Sequence, residues 1–263
     1  MTAETNVFKH SSPALYDRYM GPLLFDPYAR YVAKRVAPLH PERVLETAAG
    51  TGIVTRALLE SVPDATIIAT DINPAVVEFA AQQVRSERVS FQQADAQDLP
   101  FEEASFDLVV CLFGIMFLPD KVGAHAEAYR VLRPGGRYVV VTFNSLDLNP
   151  VPKAAGEAVA SLFPTDPRYM ERGPFSYTDP ELVEQDLRAA GFETVELETV
   201  ELSSPVTARD AAHGIVLGSP FRAEIERLDA SALERATAAV EQSLRVWDGT
   251  SAPMSAHIAT AAR

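Results

Sequence analysis

The sequence predicts an α/β fold in which helices cover both faces of a mostly parallel sheet. Short apolar or β-branched runs alternate with stretches of helical periodicity through about residue 144, which is the pattern of repeated strand-helix units. A turn with two glycines follows the first apolar run, and an acidic residue ends the second. Both features are typical of the ligand-binding edge of such a sheet.

The individual elements follow from local signals. Asn73 and Pro74 favour a helix start, Thr178-Asp179-Pro180 predicts another, and Pro134 with two glycines predicts a helix end. Strands are predicted at about 43–47, 66–70, 88–92, 106–111, 136–143, 193–202 and 255–261. Helices are predicted at about 13–20, 52–62, 73–84, 121–132, 179–190, 223–230 and 232–247.

The turn after the first strand is the most informative segment, and residues 44–52 read V-L-E-T-A-A-G-T-G. Gly50 and Gly52 allow backbone conformations that a Cβ forbids, so a ligand can lie against the main chain. Asp71 stands 19 positions after Gly52, where an α/β nucleotide site places the carboxylate that binds ribose hydroxyls. The spacing predicts a nucleoside ligand.

The residues around the turn disfavour a polyphosphate. Thr55 occupies the position of the third glycine of a dinucleotide fingerprint, and Gly52 is not followed by the Lys-Ser/Thr of a phosphate loop. Glu46 would repel a pyrophosphate but attract an ammonium group. S-adenosylmethionine, a cationic nucleoside without phosphate, fits better than a nicotinamide cofactor, which stays a weaker alternative.

At this point the sequence resembles the class I S-adenosylmethionine-dependent methyltransferases. The resemblance rests on five ordered segments, although Ala49 stands where many members have cysteine. The loop at 113–120 resembles that of the small-molecule subgroup that includes quinone-biosynthesis enzymes, although Leu112 replaces a common glutamine. The five segments are E-T-A-A-G-T-G at 46–52, T-D-I-N at 70–73, A-D-A-Q-D-L-P-F at 94–101, S-F-D-L-V-V-C at 105–111 and R-V-L-R-P-G-G at 130–136.

The resemblance implies a Rossmann-like sheet of seven strands, mostly parallel with an antiparallel final strand, and a small helical cap. Residues 1–144 would hold an N-terminal helix and the cofactor-binding core, which continues at 178–204 and ends with a strand at 251–263. Residues 145–177 and 205–250 would form the cap over the active site.

The resemblance also implies that the chain binds S-adenosylmethionine and releases S-adenosylhomocysteine. Asp95 is favoured over Asp98 for the adenine amino group. Packing is the alternative role for the two tyrosines and for Phe113, and turn formation or capping is the alternative for the glycines and Asp71. The implied cofactor-binding residues are Tyr16, Tyr19, Glu46, Ala48, Gly50, Thr51, Gly52, Asp71, Ile72, Asp95, Ala96, Gln97, Leu112 and Phe113.

The implied reaction is in-line transfer of a methyl group to an O, N or C nucleophile of a small, partly apolar acceptor. A base is needed only if the acceptor must lose a proton. His213 and Tyr177, both in the expected cap, are weak candidates. No metal is expected, because the five histidines lack the paired spacing of metal ligands.

Composition and charge disfavour some classes of substrate and predict where in the cell the protein acts. The net charge of -13 disfavours a nucleic-acid substrate, because nucleic-acid binding depends on Lys and Arg at the phosphates. One cysteine, no apolar signal core before Pro13 and a longest apolar run of 11 residues predict a cytoplasmic protein without a membrane span. The Asp/Asn-Pro-Pro-aromatic and Pro-Cys motifs of nucleic-acid methylases are missing after the fourth strand. A noncatalytic cofactor-binding regulator stays open as the alternative function.

Overall fold

The computed structural model describes residues 12–163, 168–228 and 231–263. Seven strands of these residues form one sheet in the order β3-β2-β1-β4-β5-β7-β6. β1 to β5 are parallel to one another, and β7 is antiparallel to β5. The strands are β1 Arg43–Glu46, β2 Thr66–Asp71, β3 Val89–Gln93, β4 Phe106–Leu112, β5 Leu132–Phe143, β6 Thr194–Val206 and β7 Thr250–Ala262.

The predicted fold class is confirmed. The middle of β4, Leu108–Leu112, is buried at every position, although successive side chains point to opposite faces. Both faces of the sheet are therefore covered, as expected of a central parallel strand with a continuous apolar sequence. β7 lies between β5 and β6. The last strand of the chain is therefore inserted into the sheet, antiparallel to β5, and β6 forms the edge.

The helices begin where the sequence provides caps. The side chains of Asn73, Asp120 and Asp179 each accept a backbone N–H in the first turn of the helix that follows, which satisfies a donor that the helix leaves unpaired. The α-helices are α1 Pro13–Leu15, α2 Asp26–Val36, α3 Ile53–Ser61, α4 Pro74–Gln83, α5 Lys121–Val131, α6 Pro150–Ala160, α7 Tyr169–Arg172, α8 Pro180–Ala189, α9 Ala208–His213, α10 Phe221–Glu226 and α11 Ala232–Leu244. Two π-helices span Tyr16–Phe25 and Gly214–Gly218, and short 3-10 helices span Ala37–Leu39, Ile115–Phe117, Leu146–Leu148 and Arg245–Trp247.

Several predicted elements differ from the structure, and β6 ends at Val206 and β7 begins at Thr250, beyond the predicted 193–202 and 255–261. β5 begins at Leu132 rather than at 136, because an irregularity in its pairing with β4 accommodates the Pro-Gly-Gly segment. The helix predicted at 13–20 is α-helical for only three residues and then continues as a π-helix that contains Pro22, a residue without a backbone N–H. The helix predicted at 223–230 spans Phe221–Glu226, and its predicted last two residues lie outside the described part of the chain.

The chain forms two compact units. The core unit comprises Tyr28–Asn144, Tyr177–Val200 and Ala256–Arg263, and the helical unit comprises the residues through Pro27, Ser145–Ser176 and Glu201–Ser255. The N-terminal π-helix, grouped with the core in the sequence analysis, belongs to the helical unit. There it packs on the second π-helix, where Gly214 leaves only enough room for the Tyr19 side chain.

Within the described ranges, no helix has the length and apolar character needed to cross a membrane.

Candidate functional site

The centre of the core unit is a topological switch point. From β1 the chain continues through β2 and β3 on one side of the sheet, whereas β4 pairs with β1 on the other side and is followed by β5. Open parallel sheets bind ligands at the carboxyl ends of the strands at such a point. β1 ends at Glu46 and β4 at Leu112, so two of the loops with predicted site residues begin there.

The turn after β1 adopts the left-handed backbone that its glycines predicted. Ala48, Gly50 and Gly52 have φ values of 52°, 55° and 82°. A Cβ added to Gly50 would meet nothing within 4 Å, whereas one added to Gly52 would lie 3.2 Å from Val84 Cγ2. Gly50 therefore leaves open space that a ligand can occupy. Gly52 is required by its backbone angle and by packing against the core.

Asp71 joins the end of β2 to this turn. Its Oδ2 accepts the backbone N–H of Gly50 at 2.9 Å, and its Oδ1 accepts that of Asn73 at 2.9 Å. Burial raises the pKa of the Asp71 carboxyl, while the N–H groups of Asn73 and Gly50 act to lower it. The side chain stays partly exposed. The carboxylate therefore shapes the turn and is still accessible to a hydroxyl-bearing ligand.

Glu46 is the most deeply buried acid at this edge, with 1% of its surface exposed. The Thr55 hydroxyl donates to its Oε2 at 2.6 Å. Burial raises the pKa of the Glu46 carboxyl to about 8, and the nearby Asp71 charge adds to the rise. The carboxyl is therefore mostly protonated at neutral pH, and a neighbouring cation would favour its ionised form.

A hydroxyl beside the turn also lacks a partner. The Thr51 side chain is buried, and its Oγ1 makes no hydrogen bond among the described residues. A buried polar atom without a partner is costly unless a ligand or water satisfies it. This orphaned hydroxyl and the open space at Gly50 fit a cofactor bound at the turn.

The segment after β3 forms a compact polar turn at the neighbouring strand end. Asp95 Oδ1 accepts the backbone N–H of Gln97 at 2.9 Å and its side-chain amide at 3.1 Å. Gln97 Oε1 in turn accepts the backbone N–H of Asp120 at 2.9 Å. The Ala94 N–H donates to the Asp71 carbonyl at 3.1 Å, so this segment and Ile72 adjoin the strand end that carries Asp71.

The loop after β4 is apolar. Leu112 and Phe113 are buried, and Phe113 has a φ of 55°. The Phe113 ring stacks on Phe143, with 4.3 Å between centroids, and meets Tyr28 edge to face at 5.4 Å. Packing therefore accounts for the buried Phe113 ring. Gly114, which was not among the predicted site residues, lies against Ala48, and its signal was a glycine two residues after the end of a strand.

Three predicted residues lie in the helical unit. The Tyr16 ring stacks on Phe25 at 5.3 Å, and the Tyr19 ring lies 6.2 Å from the His213 ring. His213 Nδ1 is 2.7 Å from the Arg209 carbonyl oxygen. A carbonyl can only accept, so Nδ1 carries the proton and Nε2 of the neutral ring is left as the acceptor.

Tyr177 belongs to the core unit rather than to the expected cap segment. Only 2% of its surface is exposed, and its hydroxyl donates to Asp186 Oδ2 at 2.7 Å. Burial and this hydrogen bond raise the pKa of Tyr177 far above its usual value. A buried phenol held by a carboxylate is a structural element, and we leave Tyr177 out of the proposed site.

Metal binding was examined in the same way. Across residues 12–163, 168–228 and 231–263, no three His, Cys, Asp or Glu side chains are grouped so that they could hold a metal ion.

Comparison with known proteins gives the family. The profile described as a methyltransferase domain matches residues 45–140, which contain both loops of the switch point. The demethylmenaquinone methyltransferase of Clavibacter sepedonicus is 34% identical over 62% of this chain and 70% of its own length. The ubiquinone/menaquinone biosynthesis C-methyltransferase UbiE of Stutzerimonas stutzeri is 31% identical over 64% of this chain and 72% of its own.

Solved structures share the fold. The [4+2]-cyclase SpnF is similar with a TM-score of 0.68 and 20% identity, over 100% of this chain and 97% of its own. Phosphoethanolamine N-methyltransferase 2 of Haemonchus contortus was solved with phosphomonomethylethanolamine and S-adenosylhomocysteine. Its TM-score is 0.65 and its sequence identity 17%, over 100% of this chain and 61% of its own.

No comparison supports the noncatalytic regulator. From its switch-point site, its matched domain and its curated relatives, the chain belongs to the S-adenosylmethionine-dependent methyltransferases, in the small-molecule subgroup that includes the quinone-biosynthesis enzymes.

Proposed function

We propose that this enzyme methylates a ring carbon of a reduced quinone precursor, an acceptor of the demethylmenaquinol type. The observation that carries the proposal is the naming of relatives at 31–34% identity, one as a demethylmenaquinone methyltransferase and the other as a ubiquinone/menaquinone biosynthesis C-methyltransferase. The reduced ring is the reactive form, because an electron-rich phenol or phenolate carbon can attack an electrophilic methyl group whereas a quinone carbon cannot.

The cofactor is proposed to lie along the carboxyl edge of the core unit. The ribose hydroxyls would bind Asp71 and adjoin Ile72, and the adenine would meet Asp95, Ala96 and Gln97. The partly exposed Asp71 carboxylate and the polar turn of Asp95 support these assignments. The main chain at Gly50 and Gly52 would line the space between them.

The methionine end is proposed to lie at the first turn, near Glu46, Ala48 and Thr51, with Leu112 and Phe113 close by. A buried carboxyl with a raised pKa suits a cationic ammonium, and the orphaned Thr51 hydroxyl suits a polar ligand group. S-adenosylmethionine, when bound, supplies a methyl group on a sulfonium that is already a good leaving group. The task of the protein is then to align the acceptor and exclude water.

The acceptor is proposed to bind the helical unit, in which residues 145–177 and 205–250 act as the cap. Stacked aromatic pairs, most of whose members are half-buried, support an apolar partner, since Tyr169 stacks on Phe221 at 4.9 Å and Tyr16 on Phe25 at 5.3 Å. Tyr16 and Tyr19 would complete the cofactor site from the N-terminal π-helix. Such a cap would close when both ligands are bound.

His213 is the base that we propose for removal of the phenolic proton. The Arg209 carbonyl fixes its tautomer, so Nε2 is the nitrogen that would accept the proton. The neighbouring Tyr19 ring limits the positions that His213 can adopt. We also propose that the enzyme acts in the cytoplasm and not on nucleic acid, consistent with one cysteine and a net charge of -13.

The test is transfer of isotopically labelled methyl from S-adenosylmethionine to reduced demethylmenaquinone with a short prenyl chain. The expected result is a C-methylated product and one S-adenosylhomocysteine per methyl. His213→Asn should slow turnover about 100-fold or more and leave the affinity for S-adenosylhomocysteine unchanged. If the wild-type protein binds S-adenosylhomocysteine but leaves this acceptor unmethylated, the acceptor assignment is wrong.

A further inference from the structure

The two loops of the switch point touch where Gly114 meets Ala48. A Cβ built on Gly114, in the loop after β4, would lie 2.3 Å from the Cβ of Ala48 in the turn after β1, and 3.4 Å from Cys111 Sγ. Real Cβ atoms essentially never approach another atom below 3.0 Å. Any side chain at position 114 would therefore push the two loops apart.

Backbone angle does not explain this glycine. Gly114 has φ -106° and ψ -38°, a conformation that an alanine adopts readily. The strained residues are its neighbours in space and sequence, Ala48 with φ 52° and Phe113 with φ 55°. Gly114 is needed only for the space that it leaves to Ala48.

Hydrogen bonds anchor the base of each loop. The Thr47 N–H donates to the Val110 carbonyl at 2.9 Å, and the Phe113 N–H donates to the Val141 carbonyl at 2.9 Å. Ala48, which follows the first bond, and Phe113, which donates the second, take the left-handed conformation, which non-glycine residues keep only when the surrounding structure enforces it. The contact between Ala48 and Gly114 is part of that surrounding structure.

We propose that Gly114 is a positioning residue for the cofactor. By letting the β4 loop lie directly on Ala48, it holds the first turn in the conformation that directs the Gly50 N–H to Asp71 and leaves open space at Gly50. The inference rests on the proposed placement of the cofactor at this turn. The shape of the turn after β1 would then depend on a residue in the loop after β4.

The test uses a substitution and its rescue. Gly114→Ala should weaken S-adenosylhomocysteine binding, measured by calorimetry, about tenfold or more. Ala48→Gly removes the Cβ in the way and favours the left-handed angle. The double variant Gly114→Ala with Ala48→Gly should therefore bind within about threefold of Ala48→Gly alone.

A matched control separates positioning from general packing. A Cβ at Gly136 would lie 2.9 Å from the Arg133 carbonyl oxygen, in the irregular first part of β5. Gly136→Ala should lower the melting temperature and leave the affinity of the folded protein unchanged. Gly114→Ala should lower affinity even when it is compared at a temperature where both variants are folded.

Two results would overturn the proposal. One is wild-type affinity in folded Gly114→Ala. The other is a folded double variant that binds about tenfold or more weakly than Ala48→Gly alone, and this outcome decides the matter even if Gly114→Ala does not fold. Methyl transfer is not measured, so failure of the acceptor assignment in a protein that binds S-adenosylhomocysteine leaves this test intact.

Discussion

Two regions of the core unit bury ionisable side chains in different surroundings. At the carboxyl edge of β1 and β2, Glu46 and Asp71 adjoin a left-handed turn, an orphaned hydroxyl and open space at Gly50. On the helix-covered face that carries α5 and α8, His125 and Tyr177 are buried as deeply as Glu46. Burial and a shifted pKa occur in both regions, so neither identifies a site by itself.

The difference lies in what surrounds the buried groups. His125 Nδ1 is 3.3 Å from the Tyr138 hydroxyl, and the Tyr177 hydroxyl donates to Asp186 at 2.7 Å. His125 lies in α5 and Tyr138 in β5, whereas Tyr177 lies in the loop before α8, and His125 Nε2 has no partner among the described residues. At the carboxyl edge, by contrast, Asp71 accepts backbone N–H groups of the left-handed turn, beside the open space at Gly50. We therefore expect changes on the α5 and α8 face to alter stability, and changes at the carboxyl edge to alter binding.

The largest expected effect is acid destabilisation through His125. Burial lowers its pKa from 6.5 to about 4, and the charge of Lys121 adds to the decrease. The unfolded chain takes up this proton near pH 6.5, whereas the folded chain takes it up only near pH 4. The free energy of unfolding should therefore fall by about 3 kcal/mol as the pH decreases from about 6.5 to about 4. Above about pH 6.5 this destabilisation is absent, because His125 is neutral in both states.

Urea unfolding of the wild type and of His125→Gln across this pH range measures the effect. The variant should show a shallower pH dependence, although His257, whose pKa burial also lowers, leaves part of the slope. If the free energy of unfolding depends on pH in the same way in both proteins, His125 is not the cause of the acid destabilisation. Cofactor affinity at neutral pH should be the same in both.

The next effect is the loss of binding in Asp71→Asn. Removing the charge weakens hydrogen bonds worth about 1.5 to 3 kcal/mol, which predicts roughly ten- to hundredfold weaker binding of S-adenosylhomocysteine. Tyr177→Phe is the matched control, because it deletes one hydroxyl from the other region. It should lower stability by about 1 to 2 kcal/mol and change affinity by less than about twofold. If instead Tyr177→Phe weakened binding and Asp71→Asn lowered only stability, the two regions would not differ in the way proposed.

The smallest effect is a proton released from Glu46. Because burial raises the pKa of Glu46 to about 8, this carboxyl is protonated in the free protein below that pH, and a bound ammonium would ionise it. Calorimetry of S-adenosylhomocysteine at about pH 6.5, in buffers of different ionisation enthalpy, should detect release of close to one proton. Glu46→Gln should release none, and a proton count near zero in the wild type would contradict contact with the ammonium.

The core unit could be read from the sequence because its signals are local. The apolar run of β4, the cap at Asn73 and the acidic end of β2 each depend on adjacent residues. The irregular start of β5 could not be predicted, since Pro134-Gly135-Gly136 is a helix-ending signal that the strand accommodates through its pairing with β4.

The site was predicted less completely, for the same physical reason. Gly50 and Gly52 look alike in sequence, and only the packing of Val84 against Gly52 separates their roles. Gly114 depends on a contact with a residue 66 positions earlier in the chain. The pairing of Tyr177 with Asp186 likewise depends on the fold, so its alternative role as a base looked reasonable without it.

The most direct test of the central claim is a crystal structure of the protein with S-adenosylhomocysteine. The account predicts ribose hydroxyls within about 3.2 Å of the Asp71 carboxylate and ligand atoms in contact with the Gly50 main chain at about 4 Å. The Thr51 hydroxyl should gain a hydrogen-bond partner. A ligand bound elsewhere, or a ribose more than about 5 Å from Asp71, would contradict the claim that the turn after β1 is the cofactor site.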